Sequence, residues 1–274
     1  MISAIAKRCF DVLAATLLLL LTFPLILAVA FAVYAQDRHW PFYVATRVGR
    51  YGRPFRMYKI RSMIQGADSV ECDIVGAGDL RVTPLGWRIR RYKLDELPQL
   101  LNVIFGQMSM VGPRPNTPRH VDMLDEDERE LLKVKPGLTD LSSVAFFQQA
   151  SIFGDSHDTE ADYLVRMRPL KTALGVWYTR HGNILSDGAV LLITALSFLH
   201  YHSSIRAIDW LLAAHAAPLP LRTAVQDLRQ GKWHTKTLAE FGLSALPPEN
   251  GALRQTPAHQ NELAQAAHKI SQSV

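Results

Sequence analysis

Val12–Ala35 reads VLAATLLLLLTFPLILAVAFAVYA, a run of 24 residues with no charge and one proline. As a straight helix at about 1.5 Å per residue it would be ~36 Å long. That is enough to cross a bilayer core about 30 Å thick. Pro24 stands in its middle, where it cannot donate to the Leu20 carbonyl, so a kink is expected. Thr22 is placed to satisfy a freed backbone group. The flanks are basic at both ends, with Lys7 and Arg8 before the run and Arg38, Arg47, Arg50 and Arg53 after it. Positive charge stays on the cytoplasmic side. A re-entrant hairpin that enters and leaves one leaflet satisfies both flanks; a single crossing satisfies one. A single-pass anchor with an incidental proline is the competing reading. The run is long for a cleaved signal, and no small-residue cleavage site stands out before Gln36.

The remainder is the composition of a folded protein. In 274 residues, 48% are hydrophobic and 20% charged, which excludes wholesale disorder and fits one or two domains. Two cysteines, Cys9 and Cys72, build neither a disulfide framework nor a four-thiolate zinc site. The net charge of +5 suits anionic partners such as phosphates, nucleotides or lipid head groups. No phosphate loop, dinucleotide fingerprint, zinc finger or aromatic-basic pattern occurs, so no nucleic-acid partner is expected.

Downstream, turn signals at Gly49, Gly52 and Pro54 flank a strand-like Phe55–Ile60, and residues 66–80 read as a loop. Leu94, Leu97, Leu101 and Ile104 recur at helical spacing, so a helix is expected to begin near Asp95. Asp122–Lys133 reads as an exposed helix with an acidic start. Asp162–Arg180 and Asp187–His202 read as amphipathic or apolar helices that can lie in the membrane interface. The organisation is then a membrane segment (1–36), a central domain (37–204) and a C-terminal extension (205–274). For the extension, an oligomerisation or partner-binding tail and a partly disordered tail are both open.

Chemistry concentrates in Asp79–Pro115, where Arg81, Arg88, Arg90, Arg91, Lys93 and Arg114 surround one carboxylate pair, Asp95-Glu96. Adjacent residues on a helix point about 100° apart, so a shared role places them at a helix end, where Pro98 fits the first turn. A helix N-terminus and nearby arginines favour the ionised carboxylate. Such an aspartate can hold a hard cation or attack phosphorus, and the arginines can hold phosphate. The plainer reading is a helix N-cap beside a solvated basic face.

Several motifs, taken in order, form one pattern: Lys7-Arg8 and Asp11 before the proline-broken run; Arg47-Val48-Gly49-Arg50-Tyr51-Gly52; Lys59-Ile60-Arg61-Ser62-Met63; Leu94-Asp95-Glu96-Leu97-Pro98-Gln99; and Gly112-Pro113-Arg114-Pro115. Over residues 5–200 the sequence closely resembles the bacterial sugar transferases that are monotopic phosphoglycosyl transferases. The resemblance implies an α/β, membrane-associated domain with an N-terminal re-entrant helix broken near Thr22 and Pro24, a small antiparallel sheet and interfacial amphipathic helices. It implies transfer of a sugar-1-phosphate from a UDP-sugar to undecaprenyl phosphate with release of UMP, dependent on Mg²⁺, at the cytoplasmic face of the bacterial inner membrane. It makes Asp95 the nucleophile that carries a covalent phosphosugar, with Glu96 in metal or base support. Arg90, Arg114 and Lys59 are the phosphate-binding candidates. A second copy or a downstream glycosyltransferase is a further possible partner. A scaffold that kept the fold without turnover is the alternative. Three departures bear on sugar specificity more than on chemistry: Ala45 where relatives have glutamine, Asp140 after Pro136-Gly137-Leu138-Thr139, and Gly175 where some relatives have aspartate.

Overall fold

A computed structural model describes residues 2–67, 78–147, 159–230 and 236–243. Much of the loop expected at 66–80, and the extension from residue 244 onward, lie outside the described residues.

Helix α1 (Ile2–Asp37) is one helix with Pro24 inside it. The Thr22 hydroxyl donates to the Leu18 carbonyl at 2.7 Å, four residues back, rather than to the freed Leu20 carbonyl. Such back-bonding is the usual arrangement of a helical threonine. One side of α1 packs on the domain through Ala15, Ile26, Ala30 and Val33, all buried. Burying each large aliphatic side chain is worth about 1.5–3 kcal/mol. The other side leaves Leu13, Leu17, Leu20, Leu21, Phe23, Leu27 and Phe31 exposed, Leu21 at 78%. A continuous apolar surface of this kind is one that lipid covers.

Both ends of α1 are tied to the domain by polar contacts. The Lys7 ammonium sits 2.9 Å from Asp11 Oδ1 and 2.8 Å from Asp187 Oδ2, and donates to the Ser109 hydroxyl. Arg8 donates to the carbonyls of Val103 and Ile104 at 2.6 and 2.7 Å. At the far end, both guanidinium nitrogens of Arg61 reach the Asp37 carboxylate at 2.6 Å.

Strands β1 (Phe42–Val48) and β2 (Pro54–Ile60) form an antiparallel hairpin, Phe42 opposite Ile60 and Val48 opposite Pro54; β2 is the strand expected at Phe55–Ile60, and β1 is an addition to that reading. Its turn carries Tyr51 at φ 60° and Gly52 at φ 76°. Helix α2 (Pro84–Arg91) is capped by Thr83, whose hydroxyl accepts from the Gly86 amide. A 3₁₀ turn over Leu94–Glu96 then precedes α3 (Gln99–Ile104), so the dyad lies just ahead of the helix and Pro98 takes its N-cap position.

The sheet content is not wholly antiparallel. Strand β3 (Ser109–Val111) pairs in parallel with β4 (Gly137–Thr139). The pairing brings Pro113-Arg114-Pro115 beside the dyad, and it depends on Gly137. A Cβ there would lie 2.2 Å from the Gly112 nitrogen and 2.3 Å from the Gly112 oxygen. Gly137→Ala is therefore expected to lower unfolding free energy by about 1–3 kcal/mol or more, read from urea denaturation; an unchanged midpoint would show that the crossing can relax.

The single helix expected over Asp122–Lys133 is two short pieces instead, α4 (Pro118–Asp122) and a 3₁₀ segment (Glu128–Lys133). Asp125 is the cause: its carboxylate accepts from the Glu128 amide while Glu128 accepts from the Asp125 amide, a reciprocal cap that starts a new element. After α5 (Leu141–Ala145) and α6 (Thr159–Asp162), a π turn (Tyr163–Met167) leads into α7 (Arg168–His181). Helices α8 (Ile184–Ser197), α9 (Tyr201–Ala214) and α10 (Leu219–Asp227) follow. Helix α9 runs across residue 205. Leu211, Leu212, Leu221, Val225 and Phe241 join the same apolar core as Trp177, Leu100 and Val144.

Candidate active site

The site is assembled by three local devices. Asn102 in α3 is fully buried. Its side chain accepts from the Tyr58 amide at 3.0 Å and donates to the Arg56 carbonyl at 2.7 Å. This sews β2 to α3 and sets Lys59 over the dyad. Lys93, at φ 56°, turns the chain into the Leu94–Glu96 segment; a left-handed non-glycine residue is a strained feature that a functional site can maintain. The β3–β4 pairing supplies Arg114.

Asp95 is 4% exposed and Glu96 8%. Arg114 grips Glu96 with both nitrogens, Nη1 at 3.1 Å from Oε2 and Nη2 on Oε1, a bidentate pair that fixes geometry as well as charge. The Lys59 ammonium lies 3.8 Å from Asp95 Oδ2 and 3.7 Å from Glu96 Oε1. Arg90 donates to the Ser62 hydroxyl at 3.1 Å. All five residues expected from the sequence line one cavity of about 1060 Å³, together with Arg88, Arg91, Lys93, Arg168 and Lys171.

The two carboxyls are pushed in opposite directions. For Glu96, burial alone would raise the pKa, but Arg114, Lys59 and Lys93 outweigh it and hold it well below the usual range. For Asp95, burial dominates and the Glu96 charge adds to it, so its pKa is raised despite Lys59, Arg90 and Lys93. The cations favour the ionised form of Asp95 as expected, but burial outweighs them. The sequence located the cations but not the burial. Asp95 Oδ1 is buried without a hydrogen-bond partner. An unpartnered buried oxygen beside a second carboxylate fits a small cation that takes one or two carboxylates and completes its shell from water and substrate phosphate.

Asp140, the departure after Leu138-Thr139, caps α5: it accepts from the Ser143 amide and the Ser142 hydroxyl. Gly175 lies at the cavity wall, where a Cβ would meet Leu131 Cδ2 at 2.6 Å. Sequence reasoning missed Asn102 and Lys171. Asn102 belongs to the motif that carries the resemblance but was given no role, lying within an apolar helical repeat, and Lys171 lies within a mixed basic stretch.

An apolar-surfaced helix docked beside a basic cavity that holds a buried acidic pair defines a membrane-associated protein built to receive anions. Residues 2–201 match the bacterial sugar transferase family, and the chain belongs to it. The sequence is 36% identical over 196 residues to the UDP-glucose:undecaprenyl-phosphate glucose-1-phosphate transferase of Caulobacter vibrioides, covering 70% of this chain and 69% of that protein. It is 32% identical over 208 residues to the undecaprenyl-phosphate galactose phosphotransferase of Salmonella typhimurium, covering 70% and 40%. It is 40% identical over 126 residues to the UDP-N-acetylgalactosamine-undecaprenyl-phosphate N-acetylgalactosaminephosphotransferase of Aeromonas hydrophila, covering 46% and 30%. The chain thus spans well under half the length of the last two.

Proposed function

We propose that the protein is a phosphoglycosyl transferase that moves a sugar-1-phosphate from a UDP-sugar to undecaprenyl phosphate, with Asp95 as the covalent nucleophile. The observation that carries this is the buried, unpartnered oxygen of Asp95 inside a basic cavity, together with the activities for which the relatives are named. The Asp95 carboxylate attacks the sugar-bearing phosphorus. The bond from that phosphorus to the bridging oxygen breaks, and its electron pair leaves with UMP. A lipid phosphate oxygen then attacks the same phosphorus and returns the carboxylate. Lys59, 3.8 Å from Asp95, favours the ionised form needed for attack, and it faces the charge that develops on phosphorus. Glu96 holds Arg114 in place, and Arg90 lies in the same wall. Asp95 and Glu96 are the residues that would hold Mg²⁺, which supplies charge neutralisation on the donor diphosphate when bound. No observation favours a scaffold that lost turnover; the dyad and its cations are intact.

The test is intact-protein mass after incubation with a panel of UDP-sugars and Mg²⁺, without lipid. One phosphosugar per chain with equimolar UMP is expected for the correct donor. UMP release only when undecaprenyl phosphate is also present would overturn the covalent step. Arg114→Lys is expected to lower kcat/KM at least about tenfold although the charge is kept, because one ammonium cannot replace the fork. Near-normal turnover would remove Arg114 from the reaction.

The re-entrant arrangement belongs to the same proposal. Contacts to one domain at Lys7, Arg8 and Asp37 support it, since a crossing helix would carry one of those partners to the far side. In intact cells, cysteines placed at both ends of α1 are expected to resist a periplasmic thiol reagent. Labelling at the N-terminal end alone would establish spanning.

A further inference from the structure

Beyond the dyad the cavity wall is built by α7, and Lys171 in its first turn lines it. Its ammonium packs 5.2 Å from the Tyr163 ring centroid and 6.0 Å from that of Phe146. Among the described residues it makes no hydrogen bond and no ion pair. Three neighbouring cations are matched: Arg114 by Glu96, Lys59 by both carboxylates, and Arg168 by Glu128 and the Met123 carbonyl. The charges acting on Lys171 are those of Arg114, Asp140, Lys93 and Glu96. Both acids are committed, Glu96 to Arg114 and Asp140 to the cap of α5. Burial, with Arg114 and Lys93 adding, brings the Lys171 pKa down to about 8, so it stays mostly charged at neutral pH. The ammonium of half-buried Lys93 likewise makes no hydrogen bond or ion pair among the described residues. A desolvated ammonium without a counter-ion is costly, and an incoming anion relieves that cost.

We propose that Lys171, with Lys93, binds a phosphate group at a subsite distinct from the phosphorus that Asp95 attacks. This rests on the transfer reaction proposed above. The ligand chemistry is a phosphomonoester dianion, met either as the phosphate of departing UMP or as that of the arriving lipid. The rings of Tyr163 and Phe146 flank the Lys171 ammonium, which donates to the phosphate oxygens.

Binding separates the two sources without turnover. UMP and a short-chain polyprenyl phosphate are titrated calorimetrically into full-length Asp95→Asn protein, with and without Lys171→Met. The methionine keeps the aliphatic packing and removes the charge. It is expected to weaken one ligand about tenfold and to leave the other within twofold; Lys171→Arg restores most of the loss. Weaker UMP binding assigns the subsite to the leaving phosphate, and weaker lipid binding assigns it to the acceptor. Unchanged affinity for both overturns the proposal. So does equal weakening by the methionine and arginine variants with a lowered thermal midpoint, which is the signature of packing alone. If Lys171→Met does not fold, Lys93→Gly removes the second cation and suits φ 56°. It is expected to weaken the same ligand, and unchanged binding there overturns the proposal too. Because binding is read in a protein without the nucleophile, failure of the covalent step cannot imitate either outcome.

Discussion

Asp95→Asn is expected to abolish the phosphosugar adduct and lower UMP release at least about 10³-fold, while the protein becomes more stable near neutral pH. The catalytic loss follows from removing the attacking oxygen; amide oxygen does not replace a carboxylate in nucleophilic catalysis. The gain in stability follows from the environment. Asp95 is buried beside Glu96 and its pKa is raised. A carboxyl with a raised folded-state pKa favours the fold at pH below its unfolded value, about 3.9. It withdraws that stability as pH rises through the folded value. The difference in thermal midpoint between Asn variant and wild type should therefore open on going from acid to neutral pH. Glu96 has the opposite sign: its pKa is held well below normal, so its pairing stabilises above the unfolded pKa and is lost on acidification. Glu96→Gln should accordingly destabilise at neutral pH, leaving Arg114 without its counter-charge. Parallel pH profiles for the two variants would overturn this account of the site, and retained turnover in Asp95→Asn would overturn the nucleophile.

The contrast between the two carboxyls also marks what the sequence could convey. Asp95-Glu96-Leu97-Pro98, six cations nearby and the Pro-Arg-Pro segment were visible as residue types, and turn signals at Gly49, Gly52 and Pro54 marked the start of strand β2. Each is a local signal. Burial of Asp95 is not local: it comes from β2, α3 and the 3₁₀ turn closing together. The β3–β4 pair was hidden for a related reason. Each strand has three residues inside a Gly- and Pro-rich stretch, too short for alternation to register. In Asp122–Lys133 the acidic residues looked like a helix face, yet Asp125 and Glu128 cap each other and break it. Glu128 then turns to Arg168, forty positions away. The core likewise continues through α9 and α10 because α9 packs on α8 and α5 and α10 packs on α7, pairings that a composition shift near 205 conceals.

Lys7→Met is expected to lower unfolding free energy by about 3–5 kcal/mol, measured by urea denaturation in detergent. Lys7 sits between two carboxylates buried in the fold, Asp11 at 3% and Asp187 at 0% exposure. Removing the ammonium leaves both buried charges without their cation, and this costs more than the pair itself contributes. Ser109 and the Met110 amide still donate to Asp11, and Tyr178 still donates to Asp187. The penalty therefore concentrates on Asp187, whose pKa burial already raises against the pull of Lys7. Adding Asp187→Asn to Lys7→Met removes that uncompensated charge and should recover part of the loss, a coupling that a double-mutant cycle isolates. The cycle also reports on topology. These contacts join the first turns of α1 to β3 and α8, and in the proposed re-entrant arrangement they keep the N-terminal end of the helix on the side of the membrane that holds the domain. A loss under about 1 kcal/mol, with no coupling to Asp187, would mean that Asp187 is already protonated in the native protein. Helix α1 would then be held at this end by apolar packing and by Arg8 alone, and the argument that its N-terminus cannot leave the domain would lose its main support.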